Sequence, residues 1–262
     1  MTVVPGGPLA VERRGDVEIW SLSRPEAKNA LDAASFAALG AAVGRARTDA
    51  ALRAVVLTGA GDTFASGGDL RELRTATTEA DAVRVSELGR SVCDGIASLP
   101  VPVLAALPGA AIGGGAELSV ACDLRVADAR ASISFKHARM GVTTAWGVLG
   151  KLVAMVGPGA ASRLLLAGHA VGAEEALRLG LVDAVTDDGG CVARALAWAD
   201  DVARAAPGAV ARLKALLREA TGPAAPLRAL ERDLFVAAWT SADHREAVEA
   251  FFGKRDPRWL PG

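Results

Sequence analysis

Two stretches constrain the fold more than any other. Ala54–Leu70, "AVVLTGAGDTFASGGDL", and Val101–Leu118, "VPVLAALPGAAIGGGAEL", each pass from an apolar run through glycine-rich turns to the start of a helix-compatible segment. Apolar runs of strand length that alternate with helices predict a parallel sheet under helical cover. Val17–Ser23, "VEIWSLS", adds an alternating strand, and Asp32 is placed to cap the helix that follows the Arg24-Pro25 loop. A helix is expected over Thr78–Ser98, and Pro100 and Pro102 mark the entry to the next strand. A further helix runs through Cys122, followed by two short strands in "LRVAD" and "ASISF". From Ala145 the pattern is mainly helical, broken at Gly157-Pro158, Gly168, Gly180 and Pro207-Gly208. The fold class is α/β, with a core over residues 1–190 and a helical region over 191–262 that serves as a subdomain or an oligomer-forming element. No internal repeat is visible.

Each glycine loop ends where a helix should begin. The first N–H groups of a helix have no partner within it and sit at the positive end of its dipole. Glycine removes the side chain that would block a ligand from them. Two such N–H groups converging on one oxygen form an oxyanion hole; the alternative is a pair of ordinary strand-to-helix turns. The spacing does not match GxGxxG after an early strand, so a dinucleotide fold is not expected.

Composition narrows the partners. The chain has 262 residues, 51% hydrophobic, with a net charge of −1, which gives no reason to expect a nucleic acid or a membrane surface. Cys93, Cys122 and Cys191 form no CxxC pair and read as reduced thiols of a cytoplasmic protein, two of them buried. No signal peptide is expected, nor a run of roughly 20 apolar residues. No metal-binding cluster is expected either: His137, His169 and His244 are scattered, the latter two on surface helices.

The ordered motifs "SRPEAKNAL", "VVLTGAGDTFASGGDL", "PVLAALPGAAIGGGAELSVACDLRVAD" and "EAFFGKRDPRW" resemble the crotonase (enoyl-CoA hydratase/isomerase) superfamily from about residue 9 to 260. The resemblance implies a spiral of ββα units, a helical C-terminal trimerisation region, and a homotrimer or dimer of trimers. It implies an acyl-CoA substrate, with no cofactor beyond the CoA it carries. The thioester oxygen would lie between the N–H groups of Gly68 and Gly114. Asp69 reads as a helix cap. CoA contacts would fall on Arg24, Ala27, the backbone from Ala65 through Ser66 and Asp69 to Leu70, and Lys254.

Acid and base groups decide which enolate reaction follows. Glu117 matches the first glutamate of the hydratases, whereas the second falls on His137, counted back from Gly141, with no carboxylate nearby to replace it. Histidine is itself a natural acid or base near neutral pH. The loop beyond is Thr143-Thr144-Ala145-Trp146, where Trp146 lines the acyl pocket or belongs to the core. "ASGGDL", "GGGAE" and "FKHARMG…AWG" are most similar to the ethylmalonyl-CoA decarboxylase branch. The leading expectation is therefore a lyase that decarboxylates a short branched malonyl-type CoA. The alternatives are an enoyl-CoA hydratase or isomerase using Glu117 without the second glutamate, and a non-catalytic acyl-CoA-binding protein.

Overall fold

A computed structural model describes residues 7–221 and 225–259. The chain opens with a hairpin, β1 (Leu9–Arg14) and β2 (Val17–Leu22), and a helix, α1 (Ala33–Thr48). Asp32 caps α1 as expected, its carboxylate accepting from Ser35 N–H at 2.8 Å. A unit of two strands and a helix then recurs. It comprises β3 (Ala54–Gly59) and β4 (Thr63–Ala65) with α2 (Leu70–Leu73) and α3 (Glu79–Ala97), then β5 (Val103–Leu107) and β6 (Ala110–Ile112) with α4 (Gly114–Ala121). The third is β7 (Leu124–Asp128) and β8 (Ser132–Ser134) with α5 (Leu149–Ala167). The short β4 and β6 lie inside stretches that read as loops, because three residues are too few to show a period of two.

The first strand of each unit joins one sheet and the second joins another. The larger sheet runs β1-β2-β3-β5-β7-β10, with β10 at Ala184–Thr186, and is parallel from β2 onward. The smaller runs β4-β6-β8-β9, with β9 at Val171–Gly172. Neighbouring strands therefore belong to successive units, and the turns at their ends are brought side by side. This is the ββα spiral, a repeat of topology with no repeat of letters.

After β9 come α6 (Ala173–Arg178), β10 and four helices: α7 (Cys191–Ala203), α8 (Pro207–Thr221), α9 (Ala225–Trp239) and α10 (Ala242–Phe252). One core packs around Trp20, Phe64, Leu107 and Phe135; a second, smaller one seals α7 through Ala195 and Ala199 onto Val56, Leu104 and Val126. All three cysteines are buried and free, one more than expected. Burial raises the thiol pKa of each, to about 12 for Cys122 and Cys191.

One helix departs from the expectation about apolar length. α5 is long and apolar enough to cross a membrane by length and composition, with 19 residues and a mean hydropathy of 1.3. Gly157, at φ 76°, and Pro158 divide it into two helical pieces. They are about 12 Å and about 15 Å long at 1.5 Å per residue, each half a hydrocarbon core or less.

Candidate active site

The adjacency of β4 and β6 sets the site, because it lays the Gly67-Gly68 turn against Gly113-Gly114. Gly67 has φ +94°, and a Cβ there would lie 3.0 Å from the Ile112 carbonyl oxygen and 3.2 Å from the Gly114 nitrogen. Only glycine permits that approach. Leu31 N–H donates to Gly67 O at 2.8 Å and Asp69 N–H to Leu31 O at 3.0 Å, which holds the turn open. Among the described residues, neither Gly68 N–H nor Gly114 N–H has an acceptor within the chain. The two loops thus bring bare donors together, one of them at the N-terminus of α4.

The residues around Gly68 are tied to one another. Asp69 caps α2, accepting from Arg71 N–H at 3.0 Å, so Leu70 begins that helix. The Arg24 guanidinium lies 2.9 Å from Asp69 and 3.0 Å from Asp32, and donates to Ala30 O at 2.7 Å. Its charge is matched inside the chain. Ser66 N–H donates to Lys28 O at 3.1 Å and its hydroxyl reaches Ala27 O at 3.5 Å, joining the end of β4, at Ala65, to the 24–29 loop. Asn29, 1% exposed, completes the tie. Its Nδ2 donates to Ala60 O at 2.9 Å and Thr63 O at 2.7 Å, and its Oδ1 accepts from Arg24 N–H at 3.0 Å. Asn29 lies within the "SRPEAKNAL" motif, where its sequence neighbours alone give it no role. Lys254 is exposed on the turn after α10.

Glu117 sits in the first turn of α4 and is 1% exposed. Its Oε2 accepts from Trp146 N–H at 3.0 Å, and its Oε1 lies 2.9 Å from His137 Nε2. The direction of the second bond follows the proton: His137 donates to the carboxylate, or a protonated Glu117 donates to a bare Nε2. The structure therefore brings together the two residues expected to carry acid–base work. Trp146 adds a wall. Its indole covers Gly114 and Gly89, where no Cβ would fit, and meets Phe36 edge-on with centroids 5.5 Å apart.

His137 precedes a short 3-10 turn, Ala138–Met140, that α10 supports from outside. Gly141, at φ +64°, leaves only 2.7 Å between a Cβ and His244 N. His244, expected on a surface helix, is buried instead; its Nδ1 lies 2.7 Å from Met140 O and its ring is 4.7 Å from that of Trp239. Burial pushes its pKa down. His169 is exposed, as expected, but in a loop, 3.3 Å from Arg139.

No carboxylate lies near position 137 in the sequence, but the fold brings a second buried one from far along the chain, Glu231 of α9. It is 5% exposed, and its pKa is pushed up to about 7, first by burial and then by the charge of Glu117. A signal was present in the sequence: Glu231, Phe235 and Trp239 fall at i, i+4 and i+8, one face of a helix.

Two mainly parallel sheets built from successive ββα units, paired bare amides and a carboxylate on the glycine helix define the crotonase class of α/β proteins. Residues 12–261 match the enoyl-CoA hydratase/isomerase family model. The chain is 32% identical to the short-chain-enoyl-CoA hydratase of Clostridium acetobutylicum, over 94% of this chain and 95% of that one. It is 29% identical to the crotonyl-CoA hydratase of Syntrophomonas wolfei, over 96% and 97%. A crystal structure of an enoyl-CoA hydratase/isomerase from Mycobacterium paratuberculosis superposes with a TM-score of 0.86 at 26% identity, covering 95% of this chain and 99% of that one. The chain belongs to the enoyl-CoA hydratase/isomerase family.

Proposed function

We propose that the chain hydrates the double bond of a short-chain 2-enoyl-CoA, the reaction held in sequence analysis as the alternative to decarboxylation. The observation that carries this reading is the placement of Glu117, held by His137 and Trp146 beside the bare N–H of Gly114. The names of the similar hydratases support it. In this reading Gly68 and Gly114 donate to the thioester oxygen. Glu117 takes a proton from water as the hydroxide adds to the β-carbon. The displaced electron pair moves onto the thioester oxygen, where the two amides stabilise it, and as the enolate collapses the α-carbon takes a proton from the Glu117–His137 pair, which holds the one removed from water. The indole across Gly114, backed by Phe36, walls the space beside that amide, which supports a short acyl chain over a long one.

The CoA arm is assigned to Ala27 and the backbone from Ala65 through Ser66 and Asp69 to Leu70, with Lys254 for phosphate. Arg24 is assigned to holding the Gly68 turn, since Asp32 and Asp69 already match its charge. The homotrimer or dimer of trimers draws support from the leucines that α8 and α9 expose, among them Leu216 and Leu217 at 66% and 65%.

Decarboxylation of a malonyl-type CoA is the second reading, favoured by His137 in place of a glutamate. Against it, a carboxylate at Glu117 would repel the substrate's own carboxylate. A paired assay separates them: crotonyl-CoA followed for loss of its enoyl absorbance, and methylmalonyl-CoA and ethylmalonyl-CoA followed for CO2. Hydration without CO2 release is expected. The reverse result overturns the assignment, and silence on all three leaves acyl-CoA binding without catalysis.

A further inference from the structure

Among the described residues, two buried side-chain polar atoms have no hydrogen-bond partner: Nδ1 of His137 and Oε1 of Glu231. Both face the Thr144–Gly147 loop and its partners: the Thr144 hydroxyl and Gly147 N–H are directed at Glu231, while Trp146 N–H, the next amide along, donates to Glu117, which holds His137. Buried polar atoms without partners are rare, and each such atom in a folded protein calls for an explanation. Glu231 occupies a core position on α9, in line with the buried Phe235 and Trp239. A leucine there would complete the apolar stripe without an unpaired oxygen, so packing alone does not account for a carboxyl. The helix is pinned on both sides of it. Arg228 donates to the Asp94 carboxylate of α3 at 2.9 Å and 3.0 Å, and Trp239 Nε1 donates to Ala76 O at 2.9 Å.

We propose that Glu231 is the second proton-holding carboxyl of this site and exchanges its proton with the Glu117–His137 pair, in place of the glutamate that position 137 lacks. The proposal rests on the hydration reading for its chemistry. Hydration removes one proton from water and returns one to the α-carbon, so the cluster's proton count is unchanged over a turnover. With Glu231 included, the group that receives a proton differs from the source of the one given. Glu117 takes the proton of water, while the proton delivered to the α-carbon has come from Glu231 by way of His137. The proton left on Glu117 then passes through His137 back to Glu231. Acting through the other two, Glu231 is a positioning residue rather than a catalytic one.

The surroundings suit a carboxyl that holds its proton near neutrality. Glu117 raises its pKa electrostatically, whereas the Thr144 hydroxyl, His137 and Gly147 N–H act the other way. From α3, the Cys93 thiol is held protonated by burial and by both carboxylates, and Arg90 lies along Gly147. On α9 itself, Arg228 is paired with Asp94 and Arg232 with Asp233. From α10, the buried His244 stacks on Trp239.

The test compares wild type, Glu231→Gln and Glu231→Asp in kcat/KM for crotonyl-CoA across pH, with infrared difference titration of the Glu231 carboxyl in the full-length protein. Wild-type activity should fall as pH rises through about 7. Glu231→Gln should lose that limb and about 10-fold or more in kcat, and Glu231→Asp should keep the limb. A limb that persists in Glu231→Gln, or disappears in both variants, overturns the proposal. The titration is independent of any activity. The protonated carboxyl band should bleach near pH 7 in wild type and at lower pH in Glu117→Gln, where the like charge is gone. A band that bleaches in the ordinary glutamate range, or is indifferent to Glu117→Gln, also overturns it. A wild type inactive on enoyl-CoA with the expected titration would refute the hydration reading and leave the coupling of Glu231 to Glu117 standing.

Discussion

The main-chain N–H of Trp146 donates to Oε2 of Glu117 at 3.0 Å, while the indole of the same residue covers Gly114. One residue therefore orients the carboxyl and bounds the space beside the Gly114 N–H. In the proposed reaction, that loop would couple acid–base power to acyl-chain selection.

Glu117→Gln keeps the size and an acceptor for Trp146 N–H but cannot take a proton. Activity on crotonyl-CoA should drop about 10²–10⁴-fold in kcat, the usual contribution of one acid–base group. Circular dichroism and denaturant midpoint should stay near wild type. A variant within a few-fold of wild type would remove Glu117 from the mechanism.

Gly114→Ala places a methyl against the Trp146 indole. Overpacking of this kind costs about 1–3 kcal/mol. In a Trp146→Ala background the same change should cost nothing, giving a coupling of that size in a double-mutant cycle measured by urea unfolding. Trp146→Ala alone should also shift the ratio of kcat/KM values toward longer enoyl chains. Additive costs would mean that the indole and Gly114 do not touch in solution.

Asn29→Ala removes the side chain that joins the 24–29 loop to Ala60 and Thr63. It leaves buried carbonyls unpaired, so a loss of about 1–3 kcal/mol is expected in chemical denaturation. Because Arg24 and Ser66 hang on the same loop, KM for the acyl-CoA should rise as well. A stability loss with unchanged KM would confine Asn29 to the fold.

The thiols supply a pH prediction. Cys122 has its pKa raised from 9.0 to about 12. Its contribution to stability is complete below pH 9 and is lost as pH rises toward 12, because the unfolded chain releases that proton first. Cys122→Ala should flatten the fall in denaturant midpoint above pH 9. All three thiols should resist labelling at pH 8 until the chain unfolds. Rapid labelling of the native protein would contradict their burial.

Local chemistry was legible without the structure. The Asp32 cap, the strand at β3, the helix over Thr78–Ser98 and the two glycine loops depend on neighbours within a few residues, and short-range rules suffice for them. Glu117 was readable for the same reason, since its position follows from three residues of helix after Gly114. The sequence also determined that Glu231 shares a face with Phe235 and Trp239, because helical period alone decides that.

What lies against that face was decided only by the tertiary structure. Helical period assigns a side but no partner, and Glu117, His137 and Glu231 are brought together from α4, a 3-10 turn and α9 by packing across long separations. The meeting of Gly67 with Gly114 depends on β4 pairing with β6, a pairing of three-residue strands that carries no signature of its own. Trp146 could be read equally as core or as pocket until its indole was found on Gly114. Contacts between distant residues form because the whole sheet and its helices close together, and that information is distributed over the entire chain.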